Sequence, residues 1–348
     1  MPRVSLIAAC FLLGAVSGYA WRARGGTGAN PPSFRDVVAR SKDAVVGVRC
    51  VLRAGAPAAS REGTGFLFHD GGLVLTNAHL VEERMLVLVE VPHHGRFVAR
   101  VVSEDAVTDL AVLRLDEPPP DPLPTLAFGD SDGVREGDWV LTVGHPLSLR
   151  HTVTAGLVSH LGRHFPVGGG GISAAYLQFS AAVNPGSSGG PVLDAEGRVV
   201  GITTSKWVGG EGLAFAVPSK LVQWVLGRME AHAGEVPRGY LGVSLAPGRA
   251  VAGAGAQVTS VEPDGPGWRA GLRAGDVVVR FAGEPVTGAE ELYEKITQAL
   301  PTTSVDVEVR SRTNPEGRRL VAVLGRASLR TPATPVEAPR PDTTGGPL

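Results

Sequence analysis

Three residue types in this chain can together attack a carbonyl carbon: a serine in a glycine-rich turn, with a histidine and an aspartate upstream. The serine candidates are Ser187 and Ser188, in NPGSSGGP at residues 184–191. Asn, Pro, Gly and Ser are the commonest turn formers, so this run by itself reads as a tight turn between strands. A serine hydroxyl becomes a useful nucleophile only when a base takes its proton and a carboxylate orients that base. His79 in TNAHL follows one apolar run, and Asp109 in TDLAVLRL precedes another. The chain has nine histidines, so His79 carries weight only through its setting; Asp109 alone reads equally well as a turn or cap residue.

That setting is a series of short β-branched runs between Ala44 and Val217, among them AVVGVRCVL, GLVLTNA, FVARVV, WVLTVG and VVGITTS. Many short strands at regular spacing predict an all-β sandwich or barrel. The chain order His79, Asp109, Ser188 matches the chymotrypsin arrangement rather than that of subtilisin or the α/β-hydrolases. SFRDVVAR predicts a short helix ahead of the strands, with Ser33 as its N-cap. Ser219–Ala231 predicts a second helix whose apolar face carries Leu221, Val222, Val225 and Met229.

The segments GTGFLF, TNAHL, TDLAVLRL, VGHP, TVTAGLVS, LQFSAAVNPGSSGGPV and GLAFAVP resemble, in sequence and order, the HtrA (DegP-like) serine proteases. The resemblance runs from about Ser33 to Arg326 and implies a mainly β fold: a chymotrypsin-like double β-barrel of six-stranded barrels, followed by an α+β PDZ domain. It makes His79 the base, Asp109 the orienting carboxylate and Ser188, the serine before two glycines, the nucleophile. The N–H groups of Gly186 and Ser188 then form the oxyanion hole, and Gly186 allows the turn that brings them together. Ser187 stands where the family usually has Asn, Phe179-Ser180 where it commonly has Thr-Asp, His145 where it has Asn, and Ala214 where it has Gly. Trypsin-like enzymes that bind Lys or Arg carry an Asp six residues before the nucleophile; here that position is Ala182. With Val183 and Ala214, it implies a specificity pocket for small aliphatic side chains, since a cation buried there would have no partner.

RGYLGVSL opens a second unit, and AGLRAGDVV within it resembles a PDZ domain of the bacterial protease type. Such domains add a C-terminal peptide as a strand to a sheet edge and hold its carboxylate on backbone N–H groups. By this resemblance Tyr240, Leu241, Gly242 and Val243 form the carboxylate-binding loop, while Leu292 and Ile296, four apart on the helix AEELYEKITQAL, line the side-chain pocket or simply fill the core. The expected organisation is a protease domain at 33–231, a linker at 232–238, the PDZ domain at 239–326 and a disordered Pro-rich tail at 327–348.

A formal net charge of −1 and the absence of a long basic run argue against a nucleic-acid partner. The two cysteines, Cys10 and Cys50, offer no disulfide framework to the folded part. Residues 1–24 hold an uncharged, mostly apolar run from Val4 to Trp21, flanked by Arg3, Arg22 and Arg24, and 25–32 is a Gly/Pro linker. This reads as a signal segment or, preferably, an uncleaved inner-membrane anchor facing a periplasmic or other extracytoplasmic space. The run continues past Cys10, which argues against lipidation there. No HExxH occurs, and neither metal nor cofactor is expected. The HtrA resemblance implies as partners unfolded or misfolded protein substrates, C-terminal peptides at the PDZ domain and two further copies in a trimer with Phe34 near the contact. A proteolytically inactive chaperone or PDZ scaffold is the alternative. GRHFPVGGGG, ending in Gly168–Gly171, is costly to order because glycine loses most entropy on ordering, and the HtrA resemblance implies that the loop at this position is disordered at rest and ordered on activation.

Overall fold

The computed structural model describes residues 34–53, 59–144, 152–167, 172–204, 212–248, 255–311 and 314–327. The N-terminal apolar segment, the four-glycine run and the tail from residue 328 lie outside the described residues. The first helix, α1 (Arg35–Ser41), begins one residue later than the sequence suggests, with Phe34 rather than Ser33 at the N-cap. Phe34 packs its ring against Trp139 at 6.1 Å, so an apolar contact rather than a side-chain cap sets where the helix starts.

The β-branched runs close into two six-stranded barrels. The first uses β1 (Val45–Leu52), β2 (Ser60–His69), β3 (Leu73–Thr76), β4 (Arg84–Val91), β5 (Gly95–Asp105) and β6 (Leu110–Leu115), in the order β1-β2-β3-β6-β5-β4. A short helix, α2 (Ala78–Val81), follows β3. The second barrel uses β7 (Trp139–Gly144), β8 (Thr152–Val167), β9 (Ile172–Phe179), β10 (Pro191–Leu193), β11 (Val199–Thr204) and β12 (Ala214–Pro218), in the order β10-β11-β12-β9-β8-β7. Closure leaves neither barrel an open sheet edge. β8 continues through the first part of the segment expected to be loop: beyond two register shifts between Val158 and Arg163, it pairs without interruption from Arg163 with Tyr176 to Val167 with Ile172.

Each barrel has its own apolar filling, Val46, Leu67, Val74, Val89 and Leu113 in the first and Val140, Val158, Phe179 and Ala216 in the second. A third cluster joins them: Phe66, Leu75 and Leu110 of the first barrel meet Leu141, Tyr176, Ile202 and Val217 of the second. Helix α3 (Ser219–Ala231) packs Val222, Val225 and Met229 onto this seam. Each fully buried side chain of this size contributes roughly 1.5–3 kcal/mol, so the seam adds its own stabilisation to that of the two barrel fillings.

The C-terminal domain pairs β13 (Gly239–Tyr240) with β20 (Gly325–Arg326). Its main sheet runs β14 (Val243–Leu245), β15 (Ala256–Val261), β16 (Val277–Phe281), β18 (Ser304–Ser311) and β19 (Asn314–Val323), with β17 (Glu284–Pro285) paired to β16. Helices α4 (Pro266–Ala270) and α5 (Ala289–Gln298) cover it. β14 is an edge strand of that sheet.

The two units meet through Arg238, just before β13. Its guanidinium binds the Asp105 carboxylate through two nitrogens, at 2.8 and 2.7 Å, with both side chains buried. Arg228 of α3 donates to the Gln298 carbonyl of α5 at 2.6 Å. Between the units lies a cavity of about 580 Å³ lined by Thr108, Leu161, Trp224, Arg238 and Glu294, among others.

Candidate active site

Asp109 adopts φ +61°, a left-handed conformation that Asp tolerates better than most residues. The turn that delivers it is held from behind: Thr108 donates both its amide and its hydroxyl to Asp105, which is itself gripped by Arg238. The Asp109 carbonyl accepts from the Ala78 amide at 3.1 Å and from Asn77 Nδ2 at 2.9 Å. The backbone of the aspartate turn is thus bonded directly to the residues that open α2, which carries His79.

The Asp109 side chain is 1% exposed, so as a carboxylate it needs donors. His79 provides two of them. Its amide reaches Oδ1 at 3.0 Å, and its Nδ1 lies 2.8 Å from Oδ2. A third comes from the other barrel, where the Thr204 hydroxyl donates to Oδ2 at 2.9 Å. An anionic Asp109 fixes the imidazole tautomer with the proton on Nδ1, leaving Nε2 as the acceptor for a hydroxyl proton. The His79 side chain keeps 27% of its surface open, enough to meet a substrate.

Ser188 is brought to the same seam by its backbone. Its carbonyl accepts from the Thr64 amide at 2.8 Å, and Thr64 Oγ1 donates to the Gly186 carbonyl at 2.6 Å. Gly186 has φ +98°, the left-handed turn that residues with a side chain rarely make. Gly189 is required for a different reason, because a Cβ there would lie 2.1 Å from the Thr64 carbonyl and 2.4 Å from Thr76 Oγ1. It also borders the Asn77 amide, so the serine turn rests on the two residues that lead into Ala78 and His79. Ser187 turns its hydroxyl back to accept from the Asn184 amide at 3.3 Å, a bond internal to the turn.

Around the candidate specificity pocket, Ala182 is exposed, its carbonyl accepting from Thr154 Oγ1 at 2.8 Å. Val183 packs on the cluster that holds Ala214, and Ala214 pairs across the sheet with the fully buried Phe179. Ser180 ties its segment to β8 through its amide on the Leu157 carbonyl and its hydroxyl accepting from the Leu157 amide at 2.9 Å. Tyr176 is buried near both Asp109 and Asp105; burial first, and those two charges second, push its phenol above the ordinary range. Thr204, Tyr176 and the Asp105–Arg238 pair are absent from the sequence reading. Among the described residues no group of three or more His, Cys, Asp or Glu is placed to hold a metal ion.

In the C-terminal domain the loop before β14 holds Leu241, 1% exposed, and Gly242 at φ +74°. The Tyr240 hydroxyl donates to Glu262 at 2.8 Å. The carbonyls of Leu241 and Gly242 accept from the Gly267 and Glu262 amides at 2.7 and 2.8 Å. Leu292 and Ile296 are buried in the domain core with Val243, Leu241 and Phe281 rather than open to solvent.

Residues 63–202 match the trypsin-like peptidase domain, and residues 257–311 match the PDZ domain. The solved HtrA-type protease AlgW with tripeptide is 31% identical, with a TM-score of 0.75 over 85% of this chain and 98% of that one. The chain belongs to the HtrA-type serine proteases. A serine endoprotease from Yersinia pestis superposes with a TM-score of 0.67 at 30% identity, over 86% of this chain and all of the other. A probable periplasmic DegP-like serine endoprotease of Halomonas elongata is 36% identical over 274 residues, which are 76% of this chain and 56% of the relative. A protein of the same description from Brucella suis is 38% identical over 251 residues, covering 69% and 48%. This HtrA-type chain therefore spans about half the length of the curated relatives it matches.

Proposed function

We propose that this HtrA-type chain is a serine endopeptidase of an extracytoplasmic compartment that degrades or processes unfolded and misfolded proteins. The observation that carries this reading is the Asp109 carboxylate, which takes donors from His79 and from Thr204 across the barrel seam while the Ser188 turn is bonded to Thr64 beside it. Ser188 attacks the scissile carbonyl as His79 Nε2 takes its proton; Asp109 stabilises the imidazolium, and the Gly186 and Ser188 amides receive the oxyanion. The proton returns from His79 to the leaving amine, and water then hydrolyses the acyl-enzyme. Ala182, Val183 and Ala214 shape a small apolar pocket for the residue before the cleaved bond. The N-terminal segment anchors the chain to the inner membrane.

The PDZ domain controls this activity by capturing the C-terminus of a peptide at residues 240–243. A trans peptide sets each N–H opposite the preceding C=O. With the Leu241 and Gly242 carbonyls bonded to Gly267 and Glu262, the Gly242 and Val243 amides point away from those partners. The cavity shared by Thr108, Leu161 and Glu294 puts the catalytic turn, the β8–β9 hairpin and the PDZ helix around one space. Three copies assemble through their protease domains at a patch formed by Trp139, packed on Phe34, and its cross-strand partner Leu157, the two being 43% and 37% exposed.

A fluorophosphonate probe tests the central point. It should label the wild-type chain and the Ser187→Ala variant but not Ser188→Ala, and casein should be cleaved by the same two proteins. Labelling that survives Ser188→Ala overturns the nucleophile assignment. No labelling of any form leaves an inactive chaperone or scaffold on a protease fold.

A further inference from the structure

The edge of β14 is not open. Ala246 donates its amide to Gln257 of β15, so the Leu245 amide, one residue earlier on an alternating strand, faces the other way. There it meets helix α5, and it donates to the Tyr293 hydroxyl at 3.1 Å. The helix start is fastened to the same edge further along. Gly248 donates to Glu290 Oε1 at 3.2 Å, and the Ala289 amide donates to the Gly248 carbonyl at 3.0 Å.

The outward amides of this strand are those an added peptide strand needs. Val243 points its amide away from β15, because the Gly242 carbonyl before it accepts from Glu262. Leu245 is the next outward donor, two residues on. A peptide with its carboxylate at Gly242 and Val243 and running antiparallel to β14 would bring a backbone carbonyl to the Leu245 amide. That amide already has an acceptor within the chain.

We propose that Tyr293 is a built-in competitor for the peptide site, its hydroxyl occupying the Leu245 amide that an incoming C-terminal strand would use. This rests on the peptide-binding reading of the domain and adds to it a residue that sets which ligands enter. Leu292 and Ile296 lie in the core on either side of Tyr293 in sequence, so Tyr293 is the side chain between them that reaches the strand edge. Binding requires the phenol to swing aside, and a ligand gains only the difference between its own carbonyl and the hydroxyl it replaces. Weak ligands are excluded, and a ligand that supplies a good backbone acceptor together with a terminal carboxylate is admitted. Burial pushes the Tyr293 phenol above its ordinary range, opposed by the Leu245 amide and supported by Glu290, so the hydroxyl stays neutral at physiological pH.

The test compares the full chain carrying Ser188→Ala, which does not digest the probe, with the same chain also carrying Tyr293→Phe. The probe is the fluorescein-labelled peptide Gly-Ser-Gly-Ser-Ala-Val-Val with a free carboxylate, read by anisotropy. Deuterium uptake of the peptic fragment containing Leu245 is measured in parallel without peptide. Removing the hydroxyl should tighten probe binding about three- to tenfold, the size of one net hydrogen bond. It should also speed exchange of one amide in that fragment, with the melting temperature of the domain nearly unchanged. Binding that is unchanged or weaker in Tyr293→Phe overturns the competitor role and leaves the peptide-binding reading intact. Unchanged exchange overturns it as well. If neither protein binds the probe or its amidated control while a carboxylate-terminated peptide library also fails, both readings fall together.

Discussion

Thr204, the last residue of a strand in the second barrel, donates its hydroxyl at 2.9 Å to the Asp109 carboxylate in the first. It donates to that carboxylate from one side as the His79 amide does from the other. Loss of one donor to a buried charge costs about 1–3 kcal/mol. Thr204→Val should therefore lower kcat about tenfold or more on a short peptide, with KM little changed, and Thr204→Ser should recover most of the loss. Steady-state kinetics decide it. Unchanged turnover in Thr204→Val would reduce this contact to a packing detail.

The primary specificity should be small and aliphatic. Ala214 is buried opposite Phe179 and shares a cluster with Val183, so its methyl group occupies space a glycine would leave. Casein fragments mapped by mass spectrometry should end mainly in Val or Ala. Ala214→Gly should shift cuts toward larger side chains such as Leu, by about one methylene's discrimination, on the order of tenfold. A majority of cuts after Lys or Arg would overturn the proposed pocket, in which Ala182 stands in place of an acidic residue.

The proposed assembly uses a patch where Trp139 and Leu157 are exposed. Trp139→Asp places a charge beside Phe34 and opposite Leu157, where burial against another copy would leave it unpaired. Light scattering on a form starting near Pro31 should show three copies for the parent and one for the variant. A parent protein that stays monomeric across concentrations counts against the trimer.

The Arg238–Asp105 pair should be costly to break and less costly to remove. Both side chains are buried, so Arg238→Ala strands a carboxylate and should reduce unfolding free energy by about 3–5 kcal/mol. Replacing both, as Asp105→Leu with Arg238→Met, should restore much of that in urea denaturation. Activity should not return in step, because Thr108 loses the acceptor that holds the Asp109 turn.

Much of this was legible from local pattern. The barrel strands announce themselves as short β-branched runs, and the helix Ser219–Ala231 spans the residues its apolar spacing predicts. The His79, Asp109 and Ser188 contexts are local in sequence, and the folded chain brings their turns to one seam. Contacts across long separations were not legible. Thr204 is one of two threonines in a strand, and only barrel closure, 95 residues from its partner, points it at Asp109. Asp105 and Arg238 are 133 residues apart and read singly as ordinary surface charges. In AEELYEKITQAL the i, i+4 pair Leu292 and Ile296 dominates the pattern, so Tyr293 between them reads as a flank. Only the register of β14 shows which amide it meets.

The division of labour between the barrels also has a consequence in time. A chain emerging N-terminus first completes β6, and with it the His79–Asp109 pair, before the serine turn has been made. The serine turn is then held by Thr64, and the aspartate receives the Thr204 hydroxyl only once that strand of the second barrel is in place. On the proposed reading, a copy whose second barrel is unfinished holds the base and its carboxylate with no nucleophile beside them. On that reading, competence waits on closure of the second barrel against the first, because the serine turn and Thr204 both belong to the part of the chain made last.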